Sequence, residues 1–274
     1  MNAAEGDRPR RRILVAMDAS PESLAGLRRA ASLAAELQGE LAGLFVEDIN
    51  LLRLSELPGH DIGLASGTGR QTNRADMERQ MRLRAEAARR ELERLALAHR
   101  LPWTFEVRRS RLDQALREAA EAADLVCSAL SRQPARPLAP RPRPQAAYAQ
   151  AAPAAAAVRP VLALYEGGEG GARVLELAVR AAGSNQAPLR VLVPARAGAA
   201  GDRAVAQVVE HLRGAGATGE VERLPSGERA VLAAVAGARG RSLFLDAGGP
   251  AVRADRLSRL LTAAGCEVLL VSGR

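Results

Sequence analysis

Short apolar runs alternate with longer amphipathic stretches along most of this chain, and that alternation limits the fold more than any other feature. "ILVAM" (13–17), "LAGLFV" (41–46), "WTFEVRR" (103–109) and "DLVCSAL" (124–130) read as strands. After the first of them, Ser20 suits an N-cap and Pro21 the first helical position. Leu24, Leu27, Ala30, Ala34 and Leu37 then recur at helical spacing, and Gly39 ends the run. A second helix is expected over 73–99, with Met77, Met81, Ala88, Leu92 and Leu95 on one face. A third follows in "LDQALREAAEAA" (112–123). Residues 47–72 carry loop signals instead, in "LPGHDIG" and "ASGTG". Strands that are apolar on both faces and separated by helices predict a parallel sheet covered by helices on each side.

The second half repeats the scheme. "PVLALYEG", "LRVLVPA", "GEVERLP", "SLFLDAGG" and "CEVLLV" read as five strands, with helical segments between them. The first half offers four, unless part of 154–164 serves it. The two halves are separated by 132–157, which hold six prolines and predict a linker in polyproline II or disordered form, with a short helix around 145–152. The expected organisation is a disordered arm over 1–9, a domain over 10–131, the linker over 132–157 and a second domain over 158–274. The fold class is α/β, two tandem doubly wound parallel-sheet domains of Rossmann-like type.

Composition narrows the function. The formal charge is +8, but the first twelve residues contribute +2 and residues 132–159 contribute +5, so the rest of the chain is nearly neutral. There is no lysine, which reads as the bias of an Arg- and Ala-rich proteome. Aromatics make up 2% of the chain, so base-stacking platforms are nearly absent and nucleic acid is disfavoured as a partner. Cys127 and Cys266 sit beside apolar runs as buried free thiols do, and His60, His99 and His211 are scattered. Neither set has ligand spacing, so no metal site is expected. No apolar run reaches the ~18 residues of a membrane span, and no signal peptide is legible, which makes a cytoplasmic location the expectation.

Two blocks, "ILVAMDASPESLAGLRRAASLAAELQGELAGLFVED" and "LDQALREAAEAADLVCSAL", resemble the universal stress protein family, and the second half resembles it by element order and by "CEVLLV". The resemblance implies a five-stranded doubly wound sheet that binds ATP at the carboxyl ends of its strands. It places an Asp after the first strand against the nucleoside, matched by Asp18. It also places a small apolar residue at the end of the second strand against the adenine, matched by Val46. The triphosphate would be held by a Gly-rich stretch after the fourth strand, ending in Gly-Ser or Gly-Thr at a helix N-terminus. Backbone N–H groups close on phosphate there, and the helix end adds positive potential. That stretch is missing. No glycine occurs between Arg70 and Tyr165, and in the second half Ala254-Asp255 stands where Gly-Ser is expected. Tyr165-Glu166 replaces Met17-Asp18. In the family the fifth strand is an edge, commonly covered by pairing across a dimer.

Other motifs have weaker chemistry. "EGGEGGAR" (166–173) reads as a tight strand-to-helix turn, with anion cradling by Gly168 to Gly171 as the alternative. Glu47 and Asp48 read as a solvated loop, because no nucleophile or histidine accompanies them. Cys127 reads as core. No pair of groups is arranged as nucleophile and base, so no catalytic residue and no enzyme are expected. The leading expectation is a regulatory stress-response module acting through an unknown protein partner, with degenerate phosphate motifs and no bound cofactor. The alternative is an ATP- or AMP-binding regulator using Asp18 and Val46. A third class is weak nucleic-acid association through the Arg-rich linker. For assembly, the expectation is an intramolecular pseudo-dimer with the two sheet edges facing, and the runner-up is a homodimer through residues 267–271.

Overall fold

The computed structural model of the chain describes residues 11–18, 21–49, 74–128, 159–195 and 199–272. The expected arm (1–9), the linker (132–157) and the Ser20 cap lie outside them. The first half supplies β1 (Arg12–Met17), α1 (Pro21–Glu36), β2 (Glu40–Asp48), α2 (Arg74–Ala98), β3 (Trp103–Ser110), α3 (Leu112–Ala122) and β4 (Leu125–Ser128). The second supplies β5 (Val161–Leu164), α4 (Gly168–Ser184), β6 (Leu189–Pro194), α5 (Ala199–Gly214), β7 (Glu220–Leu224), α6 (Glu228–Ala238), β8 (Ser242–Asp246), α7 (Ala254–Ala264) and β9 (Glu267–Val271). A single 3-10 turn, Pro250–Val252, separates β8 from α7.

Successive strand residues alternate between two apolar layers, as a pleated backbone requires. Ile13, Val15 and Met17 face α1, α2, α4 and α5, while Leu14 and Ala16 face α3, α6 and α7. Each layer runs unbroken through both halves. The helices press alanines onto the sheet (Ala30, Ala31 and Ala34 from α1, Ala115 and Ala119 from α3), so a chain poor in aromatics still closes its core by bringing helix and sheet backbones near. Helix α1 ends differently from the expectation. The left-handed residue is Gln38, with φ 51°, and not Gly39. Glycine is needed at 39 for space, since a Cβ there would overlap the Arg11 carbonyl oxygen.

All nine strands form one sheet in the order β3-β2-β1-β4-β9-β8-β5-β6-β7. Pairing is parallel throughout except between β4 and β9, which run antiparallel with Leu125 opposite Val271 and Cys127 opposite Leu269. Each half therefore has the doubly wound order, with its first strand at the centre. Among the described residues the first half has four strands, and β9, the fifth strand of the second half, lies where a fifth strand of the first would lie. Strand β9 has a neighbour on each side, β4 of the first half and β8 of the second. The outer edges are β3 and β7. They carry Glu106, Arg108 and Arg109, and Glu220, Glu222 and Arg223, charges of the kind that discourage edge-to-edge pairing.

Candidate functional site

Ligands of doubly wound sheets bind beyond the carboxyl ends of the strands, beside the point where strand order reverses. That point falls between β1 and β4 in the first half and between β5 and β8 in the second. Because β4 and β9 are antiparallel, the two sites open at opposite ends of the sheet.

In the first half, Met17 pairs with Phe45, so Asp18 and Val46 are the next positions along neighbouring strands. The structure thus brings the two sequence-identified residues together. Val46 is buried and Asp18 half-buried. Glu47 departs from the loop expectation: it belongs to β2, is buried, and accepts a hydrogen bond from Arg109 Nε at 2.9 Å. Burying a carboxylate is costly unless a cation or several hydrogen-bond donors meet it. The same guanidinium also reaches Glu78 at 3.6 Å. Its neighbours are engaged too, Arg108 with Glu106 and Glu118, and Arg111 with Asp113. The arginines at the carboxyl end of β3 are thus tied to the protein's own carboxylates. The segment after β4, where phosphate ligands are expected, lies outside the described residues.

In the second half the counterpart positions are filled from within. Tyr165 replaces Met17, is buried, and its hydroxyl donates to Gln207 Oε1 at 3.1 Å. Its ring lies under Gly171, where a Cβ would come within 2.9 Å of it. Glu166 replaces Asp18, and its carboxylate accepts from the backbone N–H of Ala251 at 3.2 Å, at the start of the 3-10 turn. Asp246, the last residue of β8, accepts from the Gly248 N–H at 3.0 Å and lies against Gly170, where any Cβ would overlap its carboxylate. The glycines read as a turn before a helix are instead the first turn of α4, which begins at Gly168. Helix N-termini and successive N–H groups attract anions, and here Asp246 and Glu166 supply the anions. Sequence reasoning missed Asp246. Its signal was Asp-Ala-Gly, in which the aspartate binds the N–H two residues on.

The remaining candidates stay apart. Cys127 is fully buried, and burial, with the nearby Glu267 carboxylate, pushes its thiol well above the usual range. Cys266 is only half-buried, a correction to the expectation of two core thiols. Among the described residues, no three His, Cys, Asp or Glu side chains gather where a metal could be held. No described helix is long and apolar enough to cross a membrane.

The fold is a doubly wound α/β arrangement built twice into one sheet. Residues 9–135 match the model of the universal stress protein family. None of the curated proteins compared with the chain matches it in sequence. Among solved structures it is similar to a universal stress protein from Archaeoglobus fulgidus, at 14% identity and a TM-score of 0.51, over 95% of this chain and 96% of that one. That likeness is one of fold. A universal stress protein solved in complex with cAMP matches at 19% identity and a TM-score of 0.36, over 43% of this chain and 99% of that one.

Proposed function

We propose that the chain is a non-catalytic regulatory module of the stress-response type that acts through contacts with another protein and does not depend on bound nucleotide. The observation that supports this reading is the second site, where Glu166 and Asp246 take the backbone donors that a phosphate would need. At the first site the arginines of β3 are already paired, and the Gly-rich phosphate stretch is missing from the sequence. Each charge-assisted phosphate contact is worth about 1.5–3 kcal/mol, so losing two weakens ATP by roughly 10²–10⁴. The strand pairing that recruits a second copy in a dimer is met within the chain by β4 and β9. The partner of such a module would meet an outer face of the sheet–helix sandwich.

A second reading, an ATP- or AMP-binding regulator, is favoured by the juxtaposition of Asp18 and Val46 at neighbouring strand ends. Calorimetric titration of the full chain with ATP, AMP and cAMP separates the two. The first reading expects no binding in the low-micromolar range. Low-micromolar binding that disappears in Asp18→Ala would replace it with the second.

A further inference from the structure

Helix α2 (Arg74–Ala98) is the longest described helix, and the fold uses only one of its faces. Met81, Ala85, Ala88, Leu92, Leu95 and Ala96 are buried on the sheet. On one flank Glu91 meets Arg28 of α1 at 3.5 Å, and on the other Glu78 meets Arg109 of β3 at 3.6 Å. The side opposite the buried face is exposed along its length.

That outward side carries more than solvated charge. Leu83 and Leu97 are 58% and 67% exposed, and with Val107 of β3 they make three of the four exposed large apolar side chains among the described residues. Arg79, Arg82, Arg84, Arg89 and Arg90 are exposed and form no ion pair among the described residues. Against them stand two exposed acids, Glu86 and Glu93, which form none either. The paired groups do not cancel this excess. Arg28, Arg94 and Arg109 are balanced by Glu91, Glu47 and Glu78. Elsewhere helical arginines meet acids, Arg180 with Glu176, and Arg256 and Arg259 with Glu228.

The spacing of these residues is ordered as well. Leu83, Ala87, Arg90, Arg94 and Leu97 recur at steps of four and three residues, so they stack in one outward row about 21 Å long. Arg82, Glu86, Arg89 and Glu93 form a parallel row beside it, on the side of the β3 edge. An apolar-ended row at heptad spacing with a charged row beside it is the pattern a helix presents to a second helix.

We infer that the outward face of α2 is a docking surface for an acidic amphipathic helix of another protein, whose apolar ridge lies on Leu83, Ala87 and Leu97 and whose carboxylates meet Arg79, Arg82, Arg89 and Arg90. The inference rests on the reading that the module acts through protein contacts, and it gives the partner its chemistry. Glu86 and Glu93 stand among the arginines, where they would repel a continuous phosphate backbone but accept a basic residue of a mixed-charge helix. Two leucines so far apart offer too little apolar area to hold α2 in a membrane interface.

The probe is a fluorescein-labelled peptide of three ELAKLEE repeats, titrated against the full chain by fluorescence anisotropy without nucleotide. Saturable binding below about 100 μM is expected. It should weaken at least tenfold between about 0.1 and 1 M salt. The charge-reversed peptide, three KLAELKK repeats, should bind at least tenfold more weakly. Combining Arg82→Glu, Arg89→Glu and Arg90→Glu should cost at least about tenfold, since three exposed pairs are lost. Leu83→Ser with Leu97→Ser should cost about fivefold or more. Arg229→Glu, on exposed α6 across the sheet, should leave binding unchanged. All these positions are exposed, and circular dichroism checks that the variants fold. Absence of saturation up to about 1 mM, equal binding of the charge-reversed peptide, or indifference to the α2 substitutions overturns the assignment. So does tighter binding of duplex DNA or of phosphatidylserine vesicles through the same arginines. Peptide binding that requires ATP would keep the surface and refute the nucleotide-independent reading of the module.

Discussion

If β9 completes both halves, a lesion in it must be felt at the far edge of the first half. Leu270 tests this. Its side chain is fully buried, its backbone lies between Val126 of β4 and Leu245 of β8, and it belongs to the apolar layer that runs through both halves. Leu270→Ala removes three heavy atoms and leaves a cavity that a sheet paired on both sides cannot collapse around. Such truncations cost about 3–5 kcal/mol. For a chain of this size each kcal/mol moves the thermal midpoint by roughly 2–4 °C, so a fall on the order of 10 °C is expected.

The single tryptophan makes the test discriminating. Trp103 starts β3, at the outer edge of the first half, and the sheet order places β2, β1 and β4 between it and β9. In urea, Trp103 fluorescence reports the first half, and far-UV circular dichroism reports the whole chain. Both midpoints should fall together in Leu270→Ala, by the same amount. A Trp103 midpoint that stays at its original value while the circular dichroism midpoint falls would refute the reasoning. The halves would then fold independently, and the seam would be a docking contact without energetic consequence.

Two other outcomes follow from buried groups. Burial raises the Glu267 carboxyl above its usual value, against the opposing pull of Arg29 and Arg241. The folded state therefore holds that proton more tightly than the unfolded chain, so its stabilisation is full below the ordinary carboxylate range and is lost as pH rises through the raised value. Urea denaturation from pH 4 upward should show Glu267→Gln with a shallower loss of stability than the parent; parallel curves would count against it. The Cys127 thiol, raised by burial and by Glu267, should stay unreactive to a disulfide reagent at pH 8, leaving only the half-buried Cys266 open to attack. Thiol counting in native buffer and in urea checks this, and two fast native thiols would contradict it.

The sequence made the elements legible because they depend on local pattern. "ILVAM" and "CEVLLV" could be placed as buried parallel strands, and α1 could be placed from its alanine and leucine spacing, because burial on two faces leaves no polar alternation. Asp18 and Val46 were legible only through the resemblance to the universal stress protein family, and the β1–β2 register places them side by side. Three features resisted, and each depends on a distant partner. Glu47 looked like a loop residue until Arg109, 62 positions later, supplied its counter-charge. Asp246 looked like the end of a strand until its carboxylate was seen against Gly170. The left-handed turn after α1 fell on Gln38, because Gly39 was needed for its missing side chain and not for its φ.

The seam is where local and distant constraints meet most sharply. A fifth strand that is apolar on both faces specifies its side-chain environment but says nothing about which backbone lies on its open side. A second copy of the chain would pair its own fifth strand there, and its concentration would set how often that occurred. A tethered first half, with four strands among the described residues, offers β4 instead, at an effective concentration set by the tether. The choice is reinforced by contacts that only this pairing brings together: Arg29 of α1 reaches Glu267 at the start of β9, and the backbone N–H of Ser272 donates to the Asp124 carbonyl just before β4. The antiparallel β4–β9 contact is therefore specified by the charge it satisfies as well as by the edge it closes.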